Sequence, residues 1–141
     1  AEEALASGRA AEIFGRMIAA QGGPADFVEN ADAYLKFAPI VRDIKAKSNG
    51  FVSNINTRSI GLSIVALGGG RTRADQDVDH GVGIVHCSGL GTKVLVGDRL
   101  CQIIANTQEQ ADVAERAIHS AYLIEDSPIS VVPVVHDIIR P

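Results

Sequence analysis

The chain has 141 residues and a mass of 14.8 kDa, 46% hydrophobic and 21% charged, a balance that excludes disorder and fits a globular chain burying about 68% of its unfolded surface. No apolar run reaches the roughly 18 residues of a membrane span, because Gly68, Gly69, Gly70 and Arg71 interrupt the longest one. Thirteen basic against seventeen acidic side chains leave a net charge of −4 with the arginines scattered, so there is no electrostatic footprint for nucleic acid, and neither DNA nor RNA is expected as a partner.

Ala1 is not an initiator Met, and Ala1-Glu2-Glu3-Ala4-Leu5 enters a helical pattern with no Ser, Thr, Asp or Asn before it. The chain is therefore expected to be cut from something longer. Ile13, Met17 and Ala20, with Phe14 and Ile18 one step round, predict one amphipathic helix from Ala4 to Gln21, stopped by Gly22-Gly23-Pro24. Pro24 suits the first position of a short second helix through Phe27 and Val28. Residues 30–38 continue as a turn or short helix whose Tyr34, Leu35 and Phe37 read as core.

Pro39 changes the period. Ile40, Arg42, Ile44 and Lys47 sit in a strand-like stretch, and Ser48-Asn49-Gly50 turns it into Phe51-Val52-Ser53-Asn54-Ile55, which predicts a hairpin. Asn56-Thr57 then caps a helix through Ile60, Ile64 and Leu67 that ends at Gly68-Gly69-Gly70, with Gly61 suggesting close packing against a neighbour. Arg71 to His80, RTRADQDVDH, is polar and aperiodic, hence a loop. Val82, Ile84, Val85 and Cys87 form a short strand, and a Gly97-Asp98 turn precedes a strand over 101–105. Thr107 with Gln110 makes a capping box for the last helix, on which Val113, Ala117, Ala121 and Ile124 share a face; Pro128 ends it, and 129–139 fits an edge strand. The order is α+β rather than alternating βαβ.

Few constellations carry chemistry. Cys87 and Cys101 lie in apolar stretches and read as buried, reduced thiols, which points to the cytoplasm. His80, His86, His119 and His136 have neither H-x-x-x-H spacing nor a paired C-x-x-C beside them, so no metal site is expected. Asp75, Asp77 and Asp79 lack the Gly and distal Glu of an EF-hand. Ser59, Ser63 and Ser88 stand in no nucleophile motif, and His86 and Cys87, as strand neighbours, point to opposite faces. Gly68-Gly69-Gly70 with Arg71 and Arg73 suggests an anion cradle, yet the run follows a helix instead of opening one and meets the negative end of its dipole. A helix C-cap followed by a loop explains the same residues.

Gly91-x-x-Val94-x-x-Gly97-Asp98-x-Leu100 resembles the hairpin of biotinyl and lipoyl carrier domains, but Cys101-Gln102-Ile103-Ile104-Ala105-Asn106 contains no lysine to modify. A stand-alone binding module of that shape, without the carrier lysine, is the alternative reading. The segments AAEIFGRMIAAQGGPADFVEN, GFVSNINTRSIGLSIVALGGGR, VDHGVGIV and GTKVLVGDRLCQIIA, in order from Ala10 to about Asp126, resemble the C-terminal part of the bacterial thymidine phosphorylases, within the pyrimidine nucleoside phosphorylase family. Thr57-Arg58 before Ile60-Gly61, and the triple glycine, are similar to the thymidine-specific branch; the broader branch more often shows a carboxylate pair and Gly-Ala-Gly there. Cys87-Ser88-Gly89-Leu90 departs from the pattern.

The resemblance implies, for the full-length enzyme, reversible phosphorolysis of thymidine to thymine and 2-deoxyribose 1-phosphate, in a cytoplasmic homodimer without a cofactor. A small helical domain holds the base and a larger α/β domain holds phosphate across a closing cleft. The family's Lys-x-Ser-Thr-Gly-Gly type phosphate loop, and the Arg and Lys that grip the base, have no counterpart in residues 1–141, so no catalytic or substrate-binding residue is carried over and the chain alone is expected to be inactive. The implied fold is an α/β hammerhead, a barrel-sandwich-like small sheet with flanking helices. Residues 1–35 would join it to the rest of the large domain, and 36–141 would be the family's C-terminal domain. Apolar surface at the severed junction predicts self-association. Gly68, Gly69, Gly70, Arg71 and Arg73 form a candidate cleft-closing loop, mobile in the isolated chain; alternatively, Arg71 merely satisfies the helix's last carbonyls.

Overall fold

A computed structural model describes residues 1–130 together with Val135, Asp137 and Ile139. The chain divides into two compact units, Ala1–Lys36 and Phe37–Pro141.

The first unit carries α1 (Glu2–Ala6), α2 (Arg9–Ala20) and α3 (Ala31–Tyr34). The single helix expected from Ala4 to Gln21 is two helices, because Gly8 adopts φ +77 between them, a left-handed conformation that a continuing helix does not allow. Residues 25–29 form turns, not a second helix. Asp26 gathers them, accepting from Asn30 Nδ2 at 2.8 Å and from the Tyr34 hydroxyl at 2.7 Å. Phe27 meets Phe14 edge-on and stacks on Tyr34. The expected core placement fails, since Tyr34 remains 45% exposed and Leu35 51%; a unit this small has too little interior to enclose them. Phe37, which opens the second unit, is exposed as well.

The second unit is α+β, with two three-stranded antiparallel sheets. One has the order β1-β5-β3, from Ile40–Lys45, Arg99–Ala105 and Gly83–Val85; the other has the order β4-β2-β6, from Lys93–Val94, Gly50–Ile55 and Tyr122–Glu125. Neither is closed into a barrel among the described residues. Ser48-Asn49-Gly50 turns the chain, but β1 and β2 lie in different sheets and form no hairpin. The end of β1 is committed elsewhere: the Ala46 N–H donates to Asp98 O at 2.8 Å, and the Gly97 N–H to Ala46 O at 3.0 Å. β5 is the central strand, with Ile44 opposite Cys101 on one side and Ile84 opposite Ile103 on the other.

Helix α4 (Thr57–Ile64) is capped as expected, Asn56 Oδ1 accepting from Ser59 N at 3.0 Å, and widens into a π turn over Val65–Gly69. Nothing lies within 4 Å of a Cβ built on Gly61, so close packing does not account for that glycine. Helix α5 (Gln108–Ala121) has the full Thr107–Gln110 capping box. It buries Ala111, Ala114, Ile118 and Ala121; of the expected face Ala121 alone is buried, while Val113 is 45% exposed. It stops seven residues before Pro128 because Tyr122 and Ile124 pair with Ile55 and Val52 as strand β6, as their β-preferring side chains favour. The strand expected over 129–139 falls largely outside the described residues.

Ile44, Val52, Leu67, Leu100, Ile103 and Ile118 form the centre of the core, each essentially without solvent contact and each contributing about 1.5–3 kcal/mol by burial. Cys101 lies among them, whereas Cys87, expected to be buried, is exposed.

Candidate functional site

The site begins where α4 ends. Gly68 adopts φ +101 and turns the chain off the π turn, a conformation costly for any residue with a Cβ. Gly69 and Gly70 are required by space: a Cβ would come within 2.8 Å of Ile64 Cγ2 at Gly69 and 2.7 Å of Val65 Cγ2 at Gly70. The three glycines thus let the backbone lie against the last turn of its own helix. Arg71 and Arg73 follow, both exposed. Arg73 is taken by Asp75 in a paired contact, Nε to Oδ1 at 3.1 Å and Nη2 to Oδ2 at 3.0 Å. Arg71 has no hydrogen-bond or ion-pair partner among the described residues, and that includes the helix's terminal carbonyls.

Between them and His80 the loop is more tied than its lack of apolar residues suggests. Gln76 Oε1 accepts from the Thr72 N–H and hydroxyl, each at 2.8 Å, and from the Arg73 N–H at 3.2 Å. Asp79 accepts from Gly81 N at 2.8 Å and from Asn106 Nδ2 at 2.6 Å. These donors, Asn106 first, hold its carboxyl below the usual carboxylate range. Gln110 reaches from α5 to the Leu67 carbonyl at 3.5 Å. Gln110 is legible in the sequence as a capping residue, but its second contact is not, and neither Gln76 nor Asn106 stands out there. Polar side chains at irregular spacing carry no periodic signal.

The remaining candidates do not converge. Asp75 faces Arg73 and Asp79 faces Asn106, and among the described residues no group of His, Cys, Asp and Glu could hold a metal ion. Ser63 Oγ donates to Ser59 O at 2.9 Å and Ser88 Oγ to Arg99 O at 3.0 Å, so both serve local backbone. His86 has φ +54, which ends strand β3 one residue before Cys87. His119 lies 3.6 Å from Glu115, and burial, together with Lys47, lowers its pKa. His136 lies outside the described residues. The Gly97-Asp98 turn connects β4 to β5 in different sheets, so the carrier-type hairpin is not formed. Among the described residues no helix is long and apolar enough to cross a membrane.

Comparison with known proteins gives this arrangement a family. The chain is 47% identical over 124 residues, 88% of its length, to a thymidine phosphorylase of Mesorhizobium japonicum, and 41% identical over 135 residues, 96% of its length, to a thymidine phosphorylase of Sinorhizobium fredii. It spans 28% and 31% of those two proteins, under a third of each. The profile of the pyrimidine nucleoside phosphorylase C-terminal domain matches residues 51–125, from strand β2 to the end of β6 and through the glycine turn and its loop. The chain belongs to the pyrimidine nucleoside phosphorylase C-terminal domain family.

Proposed function

We propose that this chain is the C-terminal domain of a thymidine phosphorylase with a structural and cleft-closing role. The whole enzyme converts thymidine and phosphate to thymine and 2-deoxyribose 1-phosphate, with its catalytic groups on the rest of the polypeptide. One observation carries the reading: nearly the whole chain is similar to two proteins of that name, at 47% and 41% identity. The loop after α4 suits the closing role, because Arg71 offers an unshared guanidinium to solvent, and an exposed Arg is suited to bidentate contact with a carboxylate or phosphate arriving across a cleft. By the same reading the enzyme works as a cytoplasmic homodimer, and residues 1–35 join this domain to the remainder.

The test is kinetic. Phosphorolysis needs phosphate held in line with the anomeric carbon, so the pure 141-residue chain should release no thymine, and release that scales with its concentration would overturn the reading. In the full-length enzyme, Arg71→Ala should change kcat and KM together by roughly tenfold, as loss of a closing contact does. Wild-type kinetics would leave the loop without a closing role.

A further inference from the structure

The two ends of the glycine loop meet in a single hydrogen bond, from the Asp79 N–H to the Gly68 carbonyl at 2.9 Å. Residues 69–78 therefore stand out as a closed loop of the Ω kind. The Asp79 side chain then locks the root to the next elements: Oδ1 accepts from Gly81 N and Oδ2 from Asn106 Nδ2. Asn106 is itself fixed, its N–H donating to Gln110 Oε1 at 3.2 Å, and Gln110 reaches back to Leu67 beside the glycines. Inside the ring, Gln76 collects three donors from Thr72 and Arg73. A loop with hydrogen bonds at its root and its centre has little conformational entropy left to lose on docking.

We infer that Asp79 and Asn106 are positioning residues that hold 69–78 as one preformed body, so that the loop docks already shaped and carries Arg71 to an anionic partner without a disorder-to-order step. The docking half of this inference rests on the proposed cleft-closing function; the preformed loop does not.

Trypsin reads the loop directly, since Arg71 and Arg73 both lie on it, and Arg42 in strand β1 reports unfolding of the core in the same digest. In the 141-residue chain, cleavage after Arg71 should be slow. Asn106→Asp sets two carboxylates against each other and should speed that cleavage by about tenfold with no change at Arg42. The double variant Asp79→Asn with Asn106→Asp exchanges donor and acceptor and should restore slow cleavage. Equal cleavage in parent and Asn106→Asp overturns the clamp. So does parallel acceleration at Arg71 and Arg42 that the exchange fails to reverse. In the full-length enzyme, Asn106→Asp should lower kcat/KM for thymidine and the exchange should recover it. A digest that responds with kinetics that do not removes the cleft-closing reading and leaves the preformed loop standing.

Discussion

Arg42 Nη1 lies 2.6 Å from Asp112 Oδ1, joining strand β1 to helix α5 across 70 positions of sequence. The same nitrogen donates to Glu115 Oε2 at 2.9 Å, and Nη2 donates to Gln108 Oε1. Asp112 first, then Glu115, hold the guanidinium firmly in its charged form. A planar fork serves three acceptors at once, which a lysine ammonium on a single flexible stem does not. Arg42→Ala should lower the midpoint of thermal unfolding by roughly 2–4 °C, and Arg42→Lys should recover only part of it. The gap between parent and variant should narrow as salt is raised. An equal melting temperature for Arg42→Ala at low salt would mean that the network contributes nothing.

Two glycines are expected to behave oppositely. Gly97 has φ +95 with nothing within 4 Å of a built Cβ, so Gly97→Val meets backbone strain alone and should cost about 1–3 kcal/mol, with Gly97→Asn costing less. Gly61 sits inside α4 with ordinary helical backbone and open space around it. Gly61→Ala should therefore stabilise by about 0.5–1 kcal/mol. Denaturant midpoints of the two variants that move the same way would contradict this assignment.

What the sequence made legible follows from how local each signal is. Both helix caps are encoded within four residues, Asn56 to Ser59 and Thr107 to Gln110, and both form. Strands over 40–45 and 50–55 are legible from their residues, yet their partners are not. A Ser48-Asn49-Gly50 turn cannot state that Ala46 is already bonded to the Gly97-Asp98 turn about fifty positions away. Strand β6 is hidden for a similar reason, since Tyr122 to Glu125 continues the α5 pattern until β2 competes for it. At the site, the glycines and arginines stand out by type, whereas the Asp79–Asn106 bond spans 27 positions and leaves no spacing to recognise.

The two thiols should separate cleanly. Cys101 is fully enclosed, and burial, with Cys87 and Asp43 adding to it, pushes its pKa up to about 12. Cys87 is exposed. A thiol-reactive probe at neutral pH should label Cys87 alone in the native chain and reach Cys101 only on unfolding, because the thiolate is the reactive form. Cys101→Ser puts a hydroxyl into the core and should cost about 1–3 kcal/mol. Labelling of both thiols at one rate without denaturant would show that β5 is not enclosed as described.

Acid should open the loop at its root. The Asp79 carboxyl is held below its ordinary range by Asn106 and then Gly81, with His80 adding a smaller favourable charge. A group whose folded pKa lies below its unfolded value contributes in full above the unfolded value, about 3.9, and loses that contribution as pH falls through the folded value. Protonation also turns an acceptor into a donor opposite the Asn106 amide, so the bond at Oδ2 loses its charge assistance. Amide exchange of residues 70–78, corrected for the intrinsic rate, should thus be flat from pH 8 to pH 5 and rise only below about pH 4. Asp79→Asn keeps an oxygen for Gly81 but has no proton to take up. Its loop should exchange faster than the parent's at neutral pH and show no acid step. Opening of the parent loop between pH 5 and 7 would remove Asp79 as the group that governs it.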